Sequence, residues 1–382
     1  MKIRVVIITE IISPYRIPLF NALARRPEAD LHVVFLGETD PELREWRVYK
    51  DEIRFSFQVL SSWRRRIGRY NALLNAGLWS ALNQSKPQVI VCGGYSYFAS
   101  WEALFWAQHH KVPFLLWSES NQQDQRRRSA AIEFLKRWFL GGCDGFVVPG
   151  RSAYEYIRAQ AVGDKESFIA PNAVDNQLFA DGAEIARKNA GEHRDRLKLP
   201  QRYFLFVGRL VREKGIFELL SAYGHLDAEL RQQVGLVIVG DGACRGELQR
   251  LAASISPGTL VFAGFVHRDE LGAYYGLAEA LILPTYTDTW GMVVNEAMAC
   301  GLPVIVSAAA GCSADLIREN WNGILIKPKD VDGLELAMRR VAIESDLRKS
   351  MGANSARHIQ DYSPEVWAVS IEQAIQATVG KS

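Results

Sequence analysis

Short apolar runs recur along this chain with amphipathic stretches between them, and that alternation limits the possible fold more than any other feature. RVVIIT, LHVVFL, VIVCGG, PFLLWS and GFVVPG occupy the first half, and YFLFVG, LVIVG, LVFAG, ALILPT and PVIVS the second. Runs this short and this continuously apolar read as parallel strands buried on both faces, with helical crossovers between them. The fold class is therefore α/β, with two doubly wound sheets. A length of 382 residues exceeds what one hydrophobic core usually supports, which favours two domains.

The first domain is expected over residues 1–175 and the second over 199–363. Between them, PNAVDNQLF leads into a polar segment without a strand signal, so 176–198 reads as the connection. The final stretch, 364–382, carries the helical pattern PEVWAVSIEQAIQA and can pack on either domain, the first included. A content of 48% apolar and 23% charged residues excludes a disordered or fibrous chain. With a net charge of +2 and no recognition motif, no nucleic-acid partner is expected.

No window reaches the roughly 18 uninterrupted apolar residues of a spanning helix. The start, MKIRVVIITE, reads as a buried strand, because its apolar stretch ends at Glu10 without a small-residue cleavage site. Cys92, Cys143, Cys244, Cys300 and Cys312 are odd in number, widely spaced and free of C-x-x-C. They suggest neither a disulfide framework nor a zinc knuckle, and a reducing, cytoplasmic setting fits them best.

Chemistry concentrates in the second half. FVGRLVREKG places Gly208 at the end of a strand and sets Arg209 and Lys214 close behind it. Glycine there lets a ligand approach the backbone, and two cations suit a pyrophosphate better than a neutral group. After ALILPT, the run Asp288, Thr289, Trp290, Gly291 leads into a helix, MVVNEAMAC, whose open N-terminus offers amides to an anion. Helical side chains lean back toward the N-terminus, so Glu296 can reach a ligand held there. A third strand-to-helix turn, VIVSAAAGCSADLI, carries Gly311 and then Asp315, which as an acidic residue at a helix start is normally a cap. All three turns belong to the edge where open α/β sheets bind ligands.

With these motifs in order, followed by NGILIKPKD and preceded by PNAVD, the sequence resembles the retaining family-4 glycosyltransferases of GT-B fold, also called glycosyltransferases group 1. The resemblance covers nearly the whole chain. It implies two Rossmann-like domains facing a central cleft, the first binding an acceptor and the second a nucleotide-diphosphate sugar, with transfer that retains anomeric configuration. The sugar nucleotide is a co-substrate, so no cofactor is implied. By the same resemblance Arg209 and Lys214 hold the donor diphosphate and Glu296 the ribose. Trp290, Gly291, Met292 and Val293 offer backbone amides to sugar and phosphates. Phe265 and Val266, leading to His267, meet the base, and Asp241 with Gly242 opens a neighbouring loop.

The chain departs from the family in four places. Asp288 stands where the family's E-x7-E pattern has its leading Glu, and Gly311 is followed by Cys312 in place of a glycine pair. The usual Gly-Gly loop after the first strand is replaced by Ile12, Ser13, Pro14, Tyr15 and Arg16. Many relatives carry a His after the strand equivalent to PFLLWS, whereas Glu119 stands in that neighbourhood here. Glu119 is a candidate for orienting an acceptor hydroxyl or the donor sugar, and loop or cap residue is its bland alternative. His109 and His110 read as helix-end residues.

Two look-alikes carry less. GDGACRG, after LVIVG, has the wrong last spacing for a dinucleotide fingerprint, and the resemblance accounts for Gly240 and Gly242 without NAD. Asp330 with Asp332 mimics a D-x-D metal pair but opens the helix LELAMRR, so a cap is the better reading and metal-independent transfer is expected. Two basic runs, Arg64 to Arg66 with Arg69 and Arg126 to Arg128 with Lys136 and Arg137, fall in the first domain. They are either a solvated face or a peripheral patch for anionic lipid at the inner face of a membrane, with Trp63, Tyr70, Trp138 and Phe139 entering the headgroups. The acceptor remains open among a glycan, a lipid-linked sugar and a small molecule. Rival functions are a GT-B epimerase or phosphorylase, and a non-catalytic nucleotide-sugar or carbohydrate-binding protein.

Overall fold

The computed structural model describes residues 2–39, 47–67, 70–121, 130–160 and 163–380. The chain divides into two compact units, one comprising Met1–Ala173 together with Pro364–Ser382, the other Val174–Ser363.

The first unit contains β1 (Ile3–Thr9), β2 (Ala29–Phe35), β3 (Ser56–Val59), β4 (Ser61–Ile67), β5 (Tyr70–Ala76), β6 (Val89–Gly93), β7 (Phe114–Trp117), β8 (Gly145–Val148) and β9 (Ser167–Ile169). Among the described residues, seven of these form a sheet in the order β3-β2-β1-β6-β7-β8-β9, and its neighbouring pairs are all parallel. Alternate residues of β1 serve opposite cores. Val5 and Ile7 join one apolar cluster and Val6 and Ile8 the other, which is why this strand reads as an unbroken apolar run rather than an alternating one.

One of those cores is completed by the end of the chain. The helix Pro364–Val379 buries Trp367, Ile371 and Ile375 in it. The Trp367 ring lies 5.9 Å from Phe20 and 5.3 Å from Trp117, centroid to centroid. Arg26 seals the rim by pairing with Glu372 at 2.5 Å.

β4 and β5 form an antiparallel hairpin that the apolar pattern does not announce, because SSWRRRI has no alternation. Arg64 within it is largely buried and pairs with Glu10 at 3.5 Å, so this member of the basic run is not on a solvated face.

The second unit contains β10 (Tyr203–Val207), β11 (Gly235–Val239), β12 (Leu260–Gly264), β13 (Ala280–Leu283), β14 (Val304–Ser307) and β15 (Gly323–Ile326). They pair in the order β12-β11-β10-β13-β14-β15, again all parallel. The order reverses between β10 and β13, which makes the gap beyond their carboxyl ends the topological switch point, where such sheets bind ligands. In the first unit the reversal falls between β1 and β6.

Residues 176–198 lie in the second unit as two helices, Asn176–Lys188 and Ala190–Leu197. Asp175 caps the first by accepting from the Leu178 amide at 3.0 Å, and that helix packs on Arg268–Gly276 with Gly182 against Gly272. Asp330 likewise caps its helix, accepting from the Gly333 amide at 2.9 Å. His109 and His110 end the helix Phe98–His110.

Because Trp367 is fully buried and closes the core of the first unit from the far end of the chain, Trp367→Ala should cost about 3–5 kcal/mol. The measurement is the midpoint of the first unit's denaturant transition, and an unchanged midpoint contradicts the assignment.

Candidate active site

Five loops gather at the carboxyl edge of the second sheet, following β10, β11, β12, β13 and β14. Their backbones are laced together. Gly208 donates to the Val239 carbonyl at 3.0 Å and Leu210 to the Asp241 carbonyl at 2.9 Å. Gly311 donates to the Asp288 carbonyl and Cys312 to the Trp290 carbonyl, each at 3.0 Å. The approach is closest at three glycines, one of them Gly215, where a Cβ would stand 2.0 Å from the Pro284 carbonyl oxygen. A Cβ on Gly240 would stand 1.9 Å from the Gly208 carbonyl oxygen, and one on Gly311 would stand 2.0 Å from that of Thr289. No side chain fits at any of the three positions.

Lys214 ends a short 3-10 turn, Arg212–Lys214, that leads into the helix Ile216–His225. The turn is fixed from β13, since the Glu213 carbonyl accepts from the Tyr286 amide at 2.8 Å and from the Thr285 hydroxyl at 2.9 Å. Lys214 Nζ consequently lies 2.5 Å from Asp288 Oδ2, with the two side chains only 17% and 15% exposed. Arg209 is exposed at the same edge. Asp288 also receives the Trp290 amide at 3.4 Å.

Trp290 itself is buried, its indole donating to Asn295 Oδ1 at 2.8 Å, and Gly291 turns the chain with φ +101° into the helix Met292–Ala299. The first bond of this turn runs from the Val294 amide to the Gly291 carbonyl at 2.9 Å. Met292 and Val293 thus occupy first-turn positions whose amides have no partner within the helix. Glu296 is fully buried, and its Oε2 accepts from the Tyr275 hydroxyl at 2.5 Å. Phe265 is exposed after β12, edge-on to His267 at 5.1 Å, with Val266 half-buried between them. Asp241 accepts from the Gly242 amide at 2.7 Å and pairs with Arg245. These contacts, the Gly242 amide first, hold its carboxyl below the usual range.

The first unit has its own polar cluster at the carboxyl edge of its sheet. Glu119, two residues beyond β7, accepts from the Arg16 guanidinium. Arg16 lies over the Trp117 ring, 3.8 Å from its centroid, and reaches Asn172 Oδ1 at 3.4 Å. The sequence marks Arg16 only as part of the segment in place of the Gly-Gly loop, and Asn172 only as part of PNAVD. Nothing in the sequence joins them to Glu119.

Of the basic runs, Arg69 and Arg126 to Arg128 lie outside the described residues, as do the side chains of Arg65, Arg66 and Tyr70. Two expected headgroup contacts are corrected. In the helix Ala130–Gly142, positions 136, 139 and 140 face the core. Lys136 is buried with its ammonium 2.7 Å from the Tyr156 hydroxyl, and Phe139 is fully buried.

The cysteine thiols are free, and burial pushes Cys92 up to about 12 and raises Cys143, Cys300 and Cys312 as well. Among the described residues no group of three or more His, Cys, Asp and Glu side chains is placed to hold a metal, and no helix is long and apolar enough to cross a membrane.

Residues 19–178 match the family described as Glycosyltransferase Family 4, and residues 189–358 match Glycosyl transferases group 1. Sucrose-phosphate synthase from Thermosynechococcus elongatus superimposes with a TM-score of 0.76 over 100% of both chains, at 20% identity. Anabaena HepE, solved in complex with UDP and glucose, gives 0.76 over 98% of this chain and 100% of its own, at 13% identity. The fold is GT-B, and the chain belongs to the group 1 glycosyltransferases, with a family-4-like first half. An uncharacterized glycosyltransferase of Methanocaldococcus jannaschii is 33% identical over 42% of this chain and 41% of its own length. A D-inositol 3-phosphate glycosyltransferase of Streptomyces bingchenggensis is 31% identical over 48% of this chain and 41% of its own. The chain thus spans less than half the length of these two curated relatives.

Tyr275→Phe removes the hydroxyl that the buried Glu296 carboxylate receives, a loss worth about 1–3 kcal/mol. The expected readout is a lower melting temperature. Retention of wild-type stability contradicts a structural role for this bond.

Proposed function

We propose that this protein transfers a glycosyl unit from a UDP- or GDP-sugar to a glycan, lipid-linked or small-molecule acceptor, with retention of anomeric configuration, in the cytoplasm. The observation that carries the reading is the meeting of Lys214, Arg209 and the start of the helix Met292–Ala299 at the switch point of the second sheet. Departure of a nucleoside diphosphate leaves negative charge on its phosphates, and fixed cations and amides stabilise that charge without reorganising. UDP is the better-supported nucleotide, because HepE was solved with it.

In this reading Gly208, Gly242 and Gly311 keep side chains out of the donor's path, Phe265 and Val266 face the base, and Trp290 and Gly291 shape the turn beside the sugar. Glu296 serves the ribose, which requires its carboxylate to turn from Tyr275 toward the edge. Glu119, oriented by Arg16, faces the acceptor. Asp288 has a double task, since it occupies Lys214 before any diphosphate arrives and is released to the sugar hydroxyls when the phosphates take its place.

Arg209→Ala and Lys214→Ala should each lower transfer by about 100-fold or more while the fold persists. Asp288→Asn should tighten free UDP by about tenfold, because the nucleotide no longer displaces a carboxylate. That tightening should vanish in a Lys214→Met background, which calorimetric titration of the four proteins resolves. Loss of transfer without tightening removes the double role of Asp288 alone, whereas wild-type transfer by Lys214→Ala removes the diphosphate site. Measuring donor turnover with and without acceptor separates transferase from epimerase and from a binding protein.

Transfer is also proposed to be metal-independent, the cations and amides replacing a divalent ion. Activity should survive exhaustive chelation, and restoration of a lost activity by Mg²⁺ or Mn²⁺ contradicts this.

A further inference from the structure

The loop that carries Asp288 rests on the turn that follows β14. Two backbone rungs join them, from the Gly311 amide to the Asp288 carbonyl and from the Cys312 amide to the Trp290 carbonyl. Beside these rungs the Cys312 side chain is fully buried. Gly291 reveals what that side chain meets. A Cβ built on Gly291 would lie 3.0 Å from Leu283 Cδ2, 3.5 Å from Cys312 Sγ and 3.9 Å from Asp288 Oδ2. The thiol therefore borders the same small volume as the carboxylate oxygen that pairs with Lys214.

The turn is braced from within. The Ala310 amide donates to the Ser307 carbonyl at 2.9 Å, Ser313 to Ala310 at 3.0 Å and Leu316 to Cys312 at 2.8 Å. The Ser307 hydroxyl accepts from the Ala309 amide at 3.1 Å, and the Asp315 carbonyl accepts from the Tyr362 hydroxyl at 3.0 Å. A side chain presented from a segment held this closely acts as a fixed stop for the loop across from it, because a packed interior leaves no slack to absorb a shift.

Two properties suit a thiol to this place. Burial, reinforced by Asp288 and Asp315, pushes Cys312 well above its ordinary range, so it stays protonated and does not compete with Asp288 for the Lys214 ammonium. Its sulfur is also large and polarizable for so short a side chain, and it fills the gap that hydrogen alone would leave.

We infer that Cys312 is a positioning residue for Asp288, holding the 288–291 loop so that the carboxylate stays seated on Lys214. That seat governs how strongly Asp288 competes with an arriving diphosphate. The competition rests on the transferase reading above, whereas the seating of the carboxylate does not. The inference carries a sign: loosening the seat strengthens nucleotide binding, while ordinary damage at a buried position weakens it.

Two measurements on the full chain test this. The first is the rate at which sulfo-N-hydroxysuccinimide acetate acetylates Lys214 in ligand-free protein, read by peptide mass spectrometry. The second is UDP affinity by calorimetric titration. Cys312→Gly should speed Lys214 acetylation by about threefold or more and tighten UDP by about threefold. Cys312→Ser, which nearly keeps the shape, should stay close to wild type in both. In an Asp288→Asn background Cys312→Gly should change neither quantity, because its effect passes through the carboxylate. Should Cys312→Gly unfold, Cys312→Ala, which removes only the sulfur, gives the same comparison. Equal acetylation of Lys214 in the variant and wild type overturns the inference, as does an effect that persists undiminished in the Asp288→Asn background. Weaker UDP binding by Cys312→Gly, with Lys214→Ala impaired as well, also overturns it. Faster acetylation with UDP affinity unchanged in both Cys312→Gly and Lys214→Ala supports the seating of Asp288 and removes the diphosphate site instead.

Discussion

A lysine removed from water needs an anion beside it, and around Lys214 the second unit is organised to meet that need. Its ammonium is mostly buried, and desolvation of an unpaired charge there would cost several kcal/mol. Asp288 supplies the counter-charge in the structure. Meeting it requires the 3-10 turn after β10 and the loop after β13 to converge, which the bonds to the Glu213 carbonyl secure. The close backbone contacts at Gly240 and Gly311 then fix the neighbouring loops around the pair. In the proposed function, an anionic ligand would enter this arrangement by exchange with Asp288 and not by filling an empty charge site. The desolvation of the Lys214 ammonium is thereby met before any ligand arrives.

Much of this was legible in the residues. Consecutive apolar positions are a direct consequence of burial on both faces, so the apolar runs of both halves became parallel strands. The glycines announced the loops because only glycine tolerates a carbonyl at the distances found. The hairpin β4–β5 was hidden because its strands bury polar and charged groups selectively, as the Arg64–Glu10 pair shows, and leave no alternating pattern. Lys136 and Phe139 were misplaced for a related reason. Within a helix the inward face follows a period near 3.6, whereas a cluster of basic and aromatic residues read along the sequence mixes both faces.

Side-chain pairing was the least legible level. Glu119 and Arg16 are separated by 103 positions and meet only because β1 and β7 end at one edge. Tyr275 and Glu296 meet because two helices on one side of the second sheet turn these residues toward each other. Sequence gives the residue types at such a site through motif spacing, but the partner that orients each one comes from sheet order. The Glu296 environment makes the point sharply, since a carboxylate assigned to a ligand is found wholly buried against a tyrosine.

The return of the chain to the first unit has a consequence for biosynthesis. That unit is discontinuous, for its core includes Trp367 and its neighbours although everything else in it precedes residue 174. During translation the usual order, in which an N-terminal domain completes itself first, cannot hold here. The first sheet must wait with one apolar flank uncovered while some 190 residues of the second unit emerge and fold ahead of it. The domain made first is thus the domain finished last, and its exposed flank is where a nascent-chain chaperone has reason to bind.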